Sequence, residues 1–217
     1  MPRFTVTDSE IVFDDGGMNL LSSEALYELR SAVSQLRGDV VVFRSGRSHI
    51  FAAGADMAEM SRFTPWQAYE FARLGQEVFA MIENLPCITV AMIDGDCFGG
   101  ALDLILSFDL RYATPRSRFS HPGAKLGIVT GFGGTSRWRK VLSRPAAHQL
   151  FLANRVLSAE EAQSFELIDG IGDPDLDRLR SLDPATTRMV KELTNRAPRL
   201  APRDLVLLAE RLAKIES

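Results

Sequence analysis

The chain has 217 residues, 46% of them hydrophobic and 24% charged, with a net charge of −3 and scattered lysines and arginines. That balance suits a core-forming globular protein, and it offers no basic field for nucleic acid. Two cysteines, Cys87 and Cys97, and three dispersed histidines show no metal-ligand spacing, while no apolar run reaches membrane-spanning length and no leader-like segment opens the chain. The expectation is a cytoplasmic protein without a metal site, a nucleic-acid partner or a membrane partner.

In chain order, "RFTVTDSEIVFDD" alternates loosely between apolar and polar residues and predicts one or two short strands, a hairpin or entry ribbon. "SSEALYELRSAVSQLRG" follows a helical stripe through Leu26, Leu29, Val33 and Leu36, with a serine to cap its start and Gly38 to end it. "DVVVFRSG" reads as a buried strand, and "GRSHIFAAGADMAEM" as a polar loop. The next helix has Thr64 as its cap and Pro65 at its first position, with Phe71, Leu74, Val78, Met81 and Leu85 facing inward. An apolar strand "CITVAMID", a glycine pair, a helix from Gly100 and a short strand "LRYA" complete an α/β pattern with parallel strands.

After Gly134 the pattern turns helical: "TSRWRKVL", "PAAHQLFLAN", "SAEEAQSFELID" with a Ser158–Glu161 capping box, "TTRMVKELTNRA" and "RDLVLLAERLAKIE". Prolines 174, 184, 198 and 202 punctuate this tail, so the reading places a core over 1–173 and a small helical region over 174–217. No internal repeat is present. "GIVTGFGGTSR" fits neither nucleotide-binding glycine pattern, and Trp66 and Trp138 read as core residues.

The pair Gly99–Gly100, inside "DGDCFGGALDLILSFD", lies between a strand and a helix, where free helical N–H groups meet an unobstructed approach. It serves either a tight turn or the backbone recognition of negative charge. "FAAGAD", Phe51 to Asp56, is a second small-residue loop after a buried strand, so two loops are available to present one N–H each to a single oxygen.

Together "FAAGADMAEM", "ITVAMIDGDCFGGALDLILSFDLRYA", "FSHPGAKLGIVTGFGGTSRWRKVLSR" and "LSAEEAQSFELID" resemble the crotonase, or enoyl-CoA hydratase/isomerase, superfamily over about Ile11 to Gly170. The resemblance implies a spiral ββα core with a helical C-terminal region, shorter here than is usual in the family. It also implies a homotrimer or dimer of trimers, and acyl-CoA thioesters as substrates with no other cofactor. It places the two oxyanion-binding N–H groups at Ala55 and Gly100, with Ala53, Gly54, Asp56 and Gly99 shaping the hole and the approach to it.

The family's hydratases use two glutamates, and the matching positions here hold Asp103 and Gly123. Asp103, in a helix's first turn, is expected to stay ionised beside the dipole and to act as a base, orient water or merely stabilise the helix. Gly123 resembles the dihydroxynaphthoyl-CoA synthases, in which bicarbonate occupies the vacated space. Thr130 stands where those enzymes have an aspartate, and Gly131 where the dienoyl-CoA isomerases have one. His121 is a further acid/base or structural candidate. Lys125 and Glu59 read as surface charges, and His49 either meets the CoA diphosphate or faces solvent. The resulting expectation is a hydratase or isomerase. The alternatives are a hydrolase, decarboxylase or ring-forming homologue, and a non-catalytic CoA-binding subunit.

Overall fold

The structure, a computed structural model, describes residues 2–195. It opens with strands β1 (Phe4–Val6) and β2 (Glu10–Phe13), an antiparallel hairpin in which Phe4 opposes Phe13 and their rings stack at 4.4 Å. From β2 the chain repeats one unit: a strand in a first sheet, a shorter strand in a second layer, then a helix. The first unit continues with β3 (Leu20–Leu21) and α1 (Ser23–Gln35), whose Ser22 side chain caps the Ala25 amide. The second holds β4 (Val40–Ser45), β5 (Ile50–Ala52), β6 (Gly54–Ala55), α2 (Met57–Met60) and α3 (Pro65–Glu83). The third is β7 (Ile88–Ile93), β8 (Asp96–Phe98) and α4 (Gly100–Ile105), and the fourth β9 (Leu110–Ala113), β10 (Arg118–Ser120) and α5 (Gly123–Leu126). There follow α6 (Gly134–Arg137), a short 3-10 turn, α7 (Arg144–Phe151), β11 (Leu157–Ser158), α8 (Ala159–Ser164), β12 (Gly170–Ile171), α9 (Leu176–Arg180) and α10 (Pro184–Asn195).

The first sheet has the order β1-β2-β4-β7-β9-β12, and from β2 onward its neighbours run parallel. The second, β11-β10-β8-β5, is parallel except for β11, and β3 pairs with β6 alone. This is the expected spiral ββα core. The central strands are apolar without alternation because both faces are covered: Val41, Phe43 and Ala91 join the main core, while Val40, Val42 and Val90 pack under Leu176 and Leu179 of α9.

Both expected helix starts carry full capping boxes, Thr64 with Gln67 and Ser158 with Glu161. Other expectations need correction. The stretch 46–60, read as a loop, contains β5, β6 and α2, which are too short for a periodic signal. Helix α1 ends at Gln35, with Leu36 already extended, and Gly38 instead donates its amide to Asp8. On α3 the buried row runs through Phe71, Leu74, Val78, Phe79 and Ile82, leaving Met81 and Leu85 half-buried. Trp66 is 68% exposed and stacks on Tyr69, whereas Trp138 is packed against the core. The helix expected over 203–216 lies outside the described residues.

Candidate active site

The site begins with two glycine conformations. Gly54, the first residue of β6, has φ +98°, and a Cβ there would stand 2.6 Å from the Phe98 carbonyl and 2.9 Å from the Gly100 nitrogen. Gly99, joining β8 to α4, has φ 55° and ψ −124°, a region essentially restricted to glycine, with its amide bonded to the Ser120 carbonyl at 2.9 Å. The two loops therefore interlock through bare backbone.

A Cβ added at Gly100 would lie 3.3 Å from the Ala55 nitrogen, so the two loops pack closely at these residues. Gly100 is the first residue of α4, so its N–H has no acceptor within the helix. Asp56 donates its amide to Leu21 of β3, and because successive strand amides alternate, that of Ala55 is turned away from β3. Asp56 itself does not line the cavity: its carboxylate caps α2 through the amides of Ala58 and Glu59, fixing the chain directly after Ala55.

A largely apolar cavity of about 330 Å³ lies in front of these amides. It brings together Ala53, Ala55, Gly99, Gly100, His121, Gly123 and Thr130, although they come from three different units of the spiral. Gly54 lies behind the wall. Phe132, which the sequence reading missed, closes one side: its ring rests against Gly75 and Gly100 and meets Phe71 and Phe79 edge-on at 5.0 and 5.5 Å. The available signal was Gly75, a glycine inside an otherwise regular helix, where it is about 1 kcal/mol worse than alanine unless something packs on it.

Asp103 is not on the cavity wall. It has no exposed surface, its Oδ2 accepts the Thr130 hydroxyl, and its Oδ1 has no hydrogen-bond partner among the described residues. His121 Nε2 lies 3.7 Å from that Oδ1. Burial pushes the Asp103 carboxyl up to about 7, although the Thr130 hydroxyl, the Arg137 charge and the Gly134 amide all favour ionisation. The expected first-turn stabilisation of the carboxylate is thus overridden by desolvation. His121 is 6% exposed and packs on Phe151 at 4.9 Å; burial draws its pKa below the ordinary value, against a contact with its own backbone.

Gly123 also departs from expectation. A Cβ there would stand 2.7 Å from the Ile128 carbonyl and 2.9 and 3.0 Å from two atoms of the His121 ring, so the supposed vacant space is filled by the chain's own loop and imidazole. Lys125 and His49 are exposed and line no part of the cavity. Glu59 is half-buried and accepts the Ser23 amide, tying α2 to α1, so it is more than a surface charge. Among the described residues no cluster of His, Cys, Asp and Glu is placed to hold a metal, and no helix is long and apolar enough to cross a membrane.

The family model for enoyl-CoA hydratase/isomerase matches residues 9–200. The chain is 33% identical over 162 residues to a crotonyl-CoA hydratase of Syntrophomonas wolfei, a match covering 73% of this chain and 62% of that one. It is 35% identical over 159 residues to the mitochondrial methylglutaconyl-CoA hydratase of Mus musculus, covering 71% of this chain and 51% of that one. The chain therefore spans between half and two thirds of the length of these two relatives. Its fold is similar to that of Pseudomonas aeruginosa DspI, with TM-score 0.88 and 23% identity over 100% of this chain and 96% of that one. An enoyl-CoA hydratase from Thermoplasma volcanium aligns with TM-score 0.83 and 25% identity over 90% of this chain and 84% of that one.

Proposed function

The chain belongs to the enoyl-CoA hydratase/isomerase family, and from that premise we propose that it processes acyl-CoA thioesters by holding the thioester oxygen between the N–H groups of Ala55 and Gly100. The observation that supports this reading is the interlock of Gly54 with Gly100 beside an apolar cavity that Ala55 and Gly100 both line.

As an α-proton leaves, the C–H electron pair delocalises onto the thioester oxygen. Two fixed donors then meet charge that was absent from the ground state. One such donor typically contributes ~3 to 4 kcal/mol, and the apolar wall strengthens both by excluding water. A cavity of about 330 Å³ suits a short acyl group, while Ala53 and Gly99 on its wall border the approach of the pantetheine arm.

The test is mass spectrometry of acyl-CoA thioesters incubated with the protein in deuterated water. Deuterium at the α-carbon, with or without water addition or isomerisation, is the expected result. Release of free CoA without α-exchange would replace the enolate reading by a hydrolase. The tight packing at Gly123 favours chemistry without a second carboxylate and so keeps a decarboxylase or ring-forming reaction in view. Binding without turnover or exchange would identify a CoA-binding subunit. The trimer expected from the family resemblance is a further part of this reading, and light scattering of the purified chain tests it; a monomer would remove it.

A further inference from the structure

We propose that His121 is the acid/base group of this cavity, and that Asp103 serves it from behind as a positioning residue without meeting substrate. The inference rests on the acyl-CoA reading given above.

Access separates the two groups. Asp103 is fully enclosed, whereas His121 and Thr130 form part of the cavity wall. Any effect of the carboxyl group on a bound thioester therefore passes through one of those two side chains. Thr130 donates its only hydroxyl proton to Oδ2. Oδ1 makes no hydrogen bond of good geometry among the described residues; it faces the Gly134 amide of α6 and, among side chains, His121 Nε2 at 3.7 Å. That gap is longer than a hydrogen bond, but links of this kind often tighten only when substrate is bound.

Gly123 supplies an independent observation. The ring of His121 stands 2.9 to 3.0 Å from where a side chain at 123 would begin, so the absence of a side chain at 123 is the space the imidazole needs. The Phe151 ring packs against the imidazole at 4.9 Å. Burial favours the uncharged imidazole, which is the form that accepts a proton. The other ionisable groups facing the pair are Arg137 from α6, held by Glu83 of α3, and the enclosed thiol of Cys97 on β8.

The step balances within the chain and its substrate. The α C–H bond breaks, a ring nitrogen of His121 forms the new N–H bond, and the electron pair moves to the oxygen held by Ala55 and Gly100. The imidazolium then sits beside Asp103, whose Oδ1 accepts from Nε2–H. Return of a solvent-exchanged deuteron from the ring to carbon completes α-exchange.

The experiment follows deuterium uptake into butyryl-CoA, a saturated thioester, across pH, with binding of the same probe measured separately. His121→Ala is expected to lower exchange at least about 100-fold, with binding unchanged and partial rescue by free imidazole. His121→Gln, closer in shape but without a basic nitrogen, covers the case in which the alanine variant fails to fold. Asp103→Asn is expected to retain binding, lower exchange about 10-fold and remove from its pH profile the rise through about pH 7 at which Asp103 ionises and begins to favour the imidazolium. Exchange in a folded His121 variant within threefold of the parent overturns the proposal. So does a parent chain that binds butyryl-CoA without exchange, which leaves acyl-CoA binding standing. A parent chain that does not bind the probe overturns the acyl-CoA reading, and the proposal with it.

Discussion

The two halves of the site are built differently. The backbone half, Gly54–Ala55 and Gly99–Gly100, depends on main-chain geometry at two interlocked loops. The side-chain half, Asp103, Thr130 and His121, depends on how deeply polar groups sit among apolar neighbours. Steric rules act over one or two residues, so the first half is written as glycines at particular places in the sequence. Acid strength is set by everything packed around a carboxyl, so the second half is written nowhere locally.

Phe132 buttresses the backbone half, and removing it should have the largest effect. Its ring is 3% exposed and rests on Gly75, Gly100, Phe71 and Phe79. Phe132→Ala is expected to cost about 3 to 5 kcal/mol of stability, read from urea unfolding. A loss below about 1 kcal/mol would show that the loops hold their interlock without the ring.

Gly54→Ala addresses the backbone half alone. The new methyl group would stand 2.6 Å from the Phe98 carbonyl and 2.9 Å from the Gly100 nitrogen at a positive φ, so the loops must part. Acyl-CoA exchange should fall by about 10² to 10³, the typical loss for one oxyanion donor. Circular dichroism should still report a folded chain; an unchanged rate in such a chain would break the link between glycine geometry and function.

The same contrast explains which parts of the fold were legible. Helices α3 and α8 were read with their caps because Thr64–Pro65–Gln67 and Ser158–Glu161 act within one turn. Strands β4 and β7 were read because burial on both faces makes them continuous apolar runs. Strands β5, β6, β8 and β10 have two or three residues each and gain their identity from pairing across the spiral, which no local pattern encodes. The two glycine loops were singled out by resemblance as well as by their glycines. The enclosure of Asp103 and the exposure of Trp66 were misread because each depends on distant packing: Thr130, Gly134 and Arg137 surround the first, and no core element covers the second.

Gly123 lies where the halves meet, and restoring a carboxylate there tests whether the side-chain half has one missing part or a different construction. Gly123→Glu would drive its Cβ toward the Ile128 carbonyl and the His121 ring. Overpacking of this kind typically costs about 1 to 3 kcal/mol, and no gain in water addition to crotonyl-CoA is expected. A stable variant with new hydratase activity would show that the site had merely lost a carboxylate.

The test that discriminates most for the side-chain half is a slope of stability with pH. Asp103 is raised from an ordinary 3.8 to about 7, so between these values the folded chain keeps a proton that the unfolded chain has released. Its contribution is full below about pH 4 and is lost as pH rises through about 7. His121 is shifted below its ordinary 6.5, so its contribution is full above that pH and is lost as pH falls through the lowered value. The two slopes oppose each other where they overlap, each bounded by about 1.4 kcal/mol per pH unit for one proton. Asp103→Asn should remove the falling limb and leave stability rising with pH, whereas His121→Gln should steepen the fall. Urea midpoints at about pH 5, 6 and 7.5 separate these outcomes. If the parent and Asp103→Asn curves run parallel across that range, Asp103 ionises as an ordinary carboxylate, and the side-chain half follows the same local rules as the backbone half.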